Sequence, residues 1–237
     1  MWRTRFTLLA VAFLLTLAAN VAAQQPAGLK EAAAKAKAPP AVDRWESAIA
    51  AFEAEDKLAP PPKDAVVFIG SSSIRLWDLK QSFPDLVALN RGFGGSQMSD
   101  AVKYAHRIVT PYKPRLIVLY EGDNDLNAGK SPQQVVADFD EFLKVVRTEL
   151  PTTTLVVIGM KPSPSRWKLI EQQRETNRLL AERCAKDGKA RFLDVEQPML
   201  GSDGQPKPEI FRADKLHLND EGYKIWNELL RPLLAGG

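Results

Sequence analysis

The chain has only two histidines, His106 and His217. His217 ends the run Asp214-Lys215-Leu216-His217 near the C-terminus, and far upstream the apolar run Ala65-Val66-Val67-Phe68-Ile69 stops at Gly70-Ser71-Ser72-Ser73. A hydroxyl on the turn after a strand, with an Asp shortly before a His, is the raw material of nucleophilic catalysis by serine. The hydroxyl is a weak nucleophile and needs an adjacent base to take its proton. A neutral imidazole suits that task near pH 7, and a carboxylate can fix its tautomer and steady the imidazolium. The oxyanion that follows needs preorganised donors, and losing one typically costs about 2.7–4 kcal/mol in the barrier. Backbone N–H groups beside glycine approach closely because no Cβ intervenes, and an asparagine amide can add another donor.

Placing such groups together requires a scaffold, and the sequence predicts one. After a helix over Val42 to about Lys57, in which Asp43 and Glu46 resemble a capping box, Pro60-Pro61-Pro62 ends the segment. Strands are then expected at 65–69, 86–90, 116–120, 154–160 and 191–194. Helices are expected at 99–109, from Ser131-Pro132 to Leu150, from Trp167 to about Lys186, and from Asp220 through Leu230. Uninterrupted apolar strands alternating with amphipathic helices imply an α/β fold, a parallel sheet covered on both faces in three layers. Ligands bind such sheets beyond the carboxyl ends of the strands. The polar clusters fall there: Ser71 to Ser73, Gly94-Gly95-Ser96, Gly122-Asp123-Asn124-Asp125, and Ser163, Ser165 and Arg166.

Four separated blocks resemble the SGNH subgroup of GDSL-type esterases and lipases. They are Phe68-Ile69-Gly70-Ser71-Ser72-Ser73-Ile74-Arg75-Leu76-Trp77, Asn90-Arg91-Gly92-Phe93-Gly94-Gly95, Gly122-Asp123-Asn124-Asp125, and Asp214-Lys215-Leu216-His217-Leu218-Asn219 followed by Glu221-Gly222-Tyr223. Their order spans most of the chain from Val66 to Tyr223. The resemblance implies a flavodoxin-like α/β/α sandwich and an acylhydrolase that needs neither metal nor cofactor. It implies Ser72 as nucleophile, His217 as base and Asp214 as its orienting acid. The N–H groups of Ser72 and Gly95 and the side chain of Asn124 would form the oxyanion hole. The family's Gly-Asp-Ser reads Gly70-Ser71-Ser72 here, so the Asp before the nucleophile is missing. Ser71 and Ser73 also remain open as nucleophiles, although alignment from Gly70 favours Ser72. Ile74 in place of a glycine argues against the α/β-hydrolase turn.

Other residues carry less. His106 lies four after Val102 on a helical face and reads as a satisfied, partly buried histidine. Cys184, the only cysteine, reads as a core filler. Arg166 and Trp167 stand in a proline-stiffened loop at the functional edge. Arg166 could clamp an anionic or carbonyl group and Trp167 could stack on a sugar or acyl chain, or both could serve the helix that follows.

The chain has 237 residues, 45% of them hydrophobic and 26% charged, enough for one domain with a real core. Residues 1–23 read as a signal peptide: Arg3 and Arg5, an apolar run from Phe6 to Ala19, then Val21-Ala22-Ala23 for cleavage. Asn20 closes that run too early for a spanning helix. Residues 24–40, rich in Ala, Lys, Gln and Pro, read as a linker, leaving 41–237 as the hydrolase domain. Removing the leader's two arginines lowers the net charge from +3 to near neutral. No basic run tracks phosphates, so nucleic acid is not an expected partner, and no stable membrane insertion is expected after cleavage.

The expected protein is a periplasmic or secreted serine esterase acting on a small-molecule or glycan ester, first of all on acetyl or other short-acyl esters of carbohydrate. A lysophospholipase or thioesterase, and a non-catalytic glycan-binding module on the same scaffold, are the alternatives.

Overall fold

The computed structural model describes residues 43–234. The expected signal peptide (1–23), the expected linker (24–40) and the expected start of the first helix at Val42 lie outside them.

Five parallel strands form one sheet: β1 (Val66–Gly70), β2 (Ala88–Gly92), β3 (Leu116–Tyr120), β4 (Thr154–Ile158) and β5 (Ala190–Leu193), in the order β2-β1-β3-β4-β5. Strands β1 and β3 are buried along their whole length, as their unbroken apolar sequences require. Their side chains alternate between two cores. Val67, Ile69, Ile117 and Leu119 face helices α1 (Glu46–Leu58), α4 (Met98–Ile108), α6 (Pro132–Glu149) and α7 (Ile170–Asp187). Val66, Phe68, Val118 and Tyr120 face the short helices α2 (Ser72–Arg75), α3 (Leu79–Ser82) and α8 (Glu196–Met199) and the last helix α9 (Asp220–Leu234). Helix α5 (Asp123–Asn127) follows β3 at the sheet's carboxyl edge. This is the three-layer α/β/α arrangement with flavodoxin-like strand order. Each fully buried Val, Leu, Ile or Phe contributes about 1.5–3 kcal/mol. Exposed pairs such as Arg178–Glu182 contribute ~0–1 kcal/mol, so the two cores hold the fold.

Local differences from the sequence reading have visible causes. Strand β2 begins at Ala88 rather than Leu86, because Phe83 to Leu86 form a turn closed by the Leu86 N–H on the Phe83 carbonyl. Helix α7 begins at Ile170 rather than Trp167, because Pro164 to Leu169 form a tighter 3₁₀ turn with Arg166 outside helical geometry. No capping box opens α1: Glu46 is drawn to Arg107, and Asp43 caps only the Trp45 N–H while pairing with Lys103. His106 is exposed rather than partly buried, and its Nδ1 lies 2.6 Å from a Glu149 carboxylate oxygen at the end of α6. Cys184 is buried on α7, and burial, with Asp187 nearby, pushes its thiol up to about 12. It is a core residue and not a reactive one.

Candidate active site

The strand order reverses between β1 and β3, and the candidate residues gather beyond the carboxyl ends of those strands. Gly70 makes the first turn possible. Its φ is +148°, and a Cβ there would lie 2.1 Å from the Tyr120 carbonyl oxygen on β3. Only glycine lets the backbone pass so close. The Ser71 N–H donates to that same carbonyl (3.2 Å), and α2 starts at Ser72. The turn is then locked from two sides. Asn90 donates from Nδ2 to the Ile74 and Trp77 carbonyls (2.8 and 3.2 Å), and the Tyr223 hydroxyl donates to the Ser73 carbonyl (2.8 Å). Tyr223 itself stacks on Trp77 in the aromatic cluster beneath.

Of the three serines, only Ser72 meets the histidine. Its Oγ lies 2.8 Å from His217 Nε2, while Ser71 and Ser73 are buried. His217 Nδ1 lies 2.6 Å from Asp214 Oδ2, and Asp214 Oδ1 accepts from the Leu216 and His217 N–H groups (2.9 Å each). When its Nδ1–H donates to Asp214, the imidazole offers Nε2 to the serine hydroxyl. Burial acts to raise the Asp214 pKa, but the His217 ring and the two backbone donors outweigh it and hold the carboxyl down to about 2. The loop that carries both residues is pinned. The Arg212 N–H donates to the His217 carbonyl (2.8 Å), the Lys215 N–H to Arg212 (2.9 Å), and the Ser165 N–H to Lys215 (3.0 Å).

Gly95 holds φ at +83° in the loop after β2, and Asn124 sits in the first turn of α5. The backbone N–H groups of Ser72 and Gly95 have no hydrogen-bond partner among the described residues. Ser72, Gly95, Asn124 and His217 share a cleft of about 490 Å³ with Trp45, Arg75, Gly94, Arg166 and Leu216. Arg166 is therefore at the site. Trp167 is not: it lines a separate hollow with Pro164, Asp203, Gln205 and Lys215, because the 3₁₀ turn sends consecutive side chains in different directions.

The sequence reading missed what lies beneath Asn124. Asp123 is buried and receives Lys161 (3.3 Å), Arg166 (2.8 Å) and Gln173 (3.2 Å). Burial alone would raise the Asp123 carboxyl, but the two cations pull it below its ordinary range. A lysine directly after an apolar strand at the functional edge was the available signal. Trp45, the residue just before α1, walls the cleft.

Glu121 is a second buried acid, one residue after β3. One carboxylate oxygen pairs with the Ser96 hydroxyl, and the other has no partner. Burial pushes its pKa well above the ordinary carboxylate range, against the Ser96 hydrogen bond and with the nearby Asp125 and Asp100. The folded state thus holds this proton more tightly than the unfolded chain, and stability falls as pH rises above about 4.5. Glu121→Gln is expected to unfold at higher urea than the parent at pH 8. The advantage should shrink towards pH 5, changing by at most about 1.4 kcal/mol per pH unit. Equal advantages at both pH values would show that Glu121 does not titrate this way.

The sequence profile of the GDSL-like Lipase/Acylhydrolase family matches residues 75–225. Platelet-activating factor acetylhydrolase IB subunit alpha1 of Homo sapiens is 30% identical over 204 residues, covering 81% of this chain and 85% of the relative. A GDSL-like lipase from Bacteroides thetaiotaomicron superposes with a TM-score of 0.67 at 19% identity, covering 79% of this chain and 97% of that one. An acetylxylan esterase from Geobacillus stearothermophilus superposes at 0.60 with 12% identity, covering 72% and 94%. At these identities the two structures speak for the fold.

Proposed function

Because the chain belongs to the GDSL-like lipase/acylhydrolase family, whose members hydrolyse esters, we propose that it is an exported serine esterase for short-acyl esters, with acetylated carbohydrate as its first substrate class. The observation that carries the mechanism is the relay of Ser72, His217 and Asp214, at 2.8 and 2.6 Å, facing a cleft with unused N–H donors.

Ser72 Oγ attacks the ester carbonyl carbon as His217 Nε2 takes its proton. Asp214 steadies the resulting imidazolium without taking a proton itself. The carbonyl oxygen becomes an oxyanion held by the Ser72 and Gly95 N–H groups and by Asn124 Nδ2. Collapse breaks the bond to the alcohol, which leaves with the proton from Nε2, and an acyl-serine remains. Water then attacks the acyl carbon with His217 again as base. The carboxylic acid departs and the Ser72 hydroxyl is restored.

The cleft lining supports a short acyl group. Its apolar side chains are Trp45 and Leu216, set among Arg75, Arg166 and two glycines. Among the described residues, the exposed large hydrophobic residues, Leu58 and Val87, do not line it. A long-chain lysophospholipase would need an apolar channel beside Ser72. The relay geometry likewise weighs against a purely glycan-binding role. The 30% identical human relative is named an acetylhydrolase, which is compatible with acetyl transfer to water here. Export rests on the 1–23 leader, and among the described residues no helix is long and apolar enough to cross a membrane.

A p-nitrophenyl ester series from acetyl to long-chain acyl, followed by acetylated xylo-oligosaccharides, tests the reading. We expect kcat/KM to be highest for acetyl and to fall with chain length. A maximum at long chains would overturn the short-acyl assignment. Recovery of the protein in the cytoplasm with residues 1–23 still attached would overturn export.

A further inference from the structure

We propose that Arg166 is a positioning residue for the oxyanion hole: it fixes the amide of Asn124 so that Nδ2, and not Oδ1, faces the reacting carbonyl. The proposal rests on the assignment of Asn124 as an oxyanion donor and adds the group that sets its orientation.

An asparagine amide has two orientations of similar shape, related by a half-turn, and they offer opposite chemistry. Only one offers a donor to the cleft. Asn124 is held at both ends. Its Nδ2 donates to the Ser96 carbonyl (2.8 Å), which uses one of its two N–H bonds, and its Oδ1 accepts from Arg166 Nη2 (2.9 Å). The flipped amide would set Oδ1 against the Ser96 carbonyl oxygen and its NH₂ against the guanidinium. Both contacts would be repulsive. A guanidinium on Oδ1 also draws electron density from the amide and strengthens the remaining N–H as a donor.

Arg166 is itself immobilised. It is 9% exposed, and its Nη1 forms an ion pair with Asp123 Oδ1 at 2.8 Å. One planar fork thus bridges a buried carboxylate and the Asn124 amide, which a lysine's point charge cannot do. The guanidinium lines the cleft, but it is already engaged within the protein, by the Asp123 ion pair and the Asn124 hydrogen bond. This favours orientation of Asn124 over capture of a substrate anion. Asp123 keeps Lys161 (3.3 Å) and Gln173 (3.2 Å) when Arg166 is removed, so its carboxylate is not left unpaired.

The test is a double-mutant cycle on p-nitrophenyl acetate, a neutral ester that offers no anion to clamp. The variants are Asn124→Ala, Arg166→Met, Arg166→Lys and Asn124→Ala with Arg166→Met. Melting temperature and active-site titration keep loss of folded enzyme out of kcat. Removing an oxyanion donor outright costs about 10²–10³ in kcat, and one still held by Ser96 loses part of that. We expect Arg166→Met to lower kcat about 10- to 100-fold with KM nearly unchanged, and Arg166→Lys to restore little of it. In the Asn124→Ala background, Arg166→Met should change kcat less than about threefold, because a residue acting through another has nothing left to act on.

Multiplicative losses, a change confined to KM, or full kcat in Arg166→Met while Asn124→Ala is crippled would each overturn the role of Arg166 alone. Full kcat in Asn124→Ala would overturn the oxyanion assignment, and the proposal with it.

Discussion

Ser72→Ala is expected to lower kcat for p-nitrophenyl acetate by at least about 10⁴-fold while leaving the melting temperature nearly unchanged. Ser71→Ala and Ser73→Ala should each remain within about tenfold of the parent, because neither hydroxyl reaches the imidazole. The difference lies in the turn. Gly70 carries the chain past the Tyr120 carbonyl, Ser71 becomes the residue before α2, and Ser72 is the first position from which a side chain reaches His217 Nε2, at 2.8 Å. Without that oxygen the donors can still bind and polarise a carbonyl, so a small residual hydrolysis by water is compatible with the mechanism. Loss of activity in Ser71→Ala or Ser73→Ala, with Ser72→Ala retaining it, would reassign the nucleophile.

Asp214→Asn should lower kcat by about 10³–10⁴-fold with a much smaller change in KM. Two effects could carry such a loss, and exposure decides between them. The Asp214 side chain is 48% exposed, so water and salt screen its charge. Its larger contribution is to hold the ring with Nδ1 protonated and Nε2 free. The loss should therefore vary little between about 0.05 and 0.5 M salt. The carboxyl is held down to about 2, below its unfolded value near 3.8, so the stability it adds is present above pH 4 and lost only as pH falls towards 2. Any loss of activity at milder acidity consequently belongs to another group. A kcat for Asp214→Asn within tenfold of the parent would show that the carboxylate does not govern the tautomer.

Much of this architecture was legible in the residues. The strands 65–69 and 116–120 were readable because a strand buried on both faces is apolar throughout, and Ser131-Pro132 marked the start of α6 because proline fits the first helical position. The short elements were not legible. Helices α2, α3, α5 and α8 have four or five residues each, too few for a periodic pattern to emerge. The resemblance named Ser72, Gly95, Asn124, Asp214 and His217, whereas Arg166 and Trp167 looked equivalent. Adjacent residues of a 3₁₀ turn point apart, so one lines the cleft and the other a different hollow.

The sequence by itself determined the alternation of elements, the parallel sheet they build and the polar clusters at its carboxyl edge. Periodicity and turn residues are local properties, and local sterics enforce them. Tertiary structure decided which of three serines meets the imidazole, which way the Asn124 amide faces, and that Asp123 and Lys161 form a buried pair beneath it. These contacts join residues tens of positions apart: 145 separate Ser72 from His217, and 42 separate Asn124 from Arg166. No periodicity records such pairs, because their energy comes from desolvation and from hydrogen bonds that exist only once the sheet has brought the loops together.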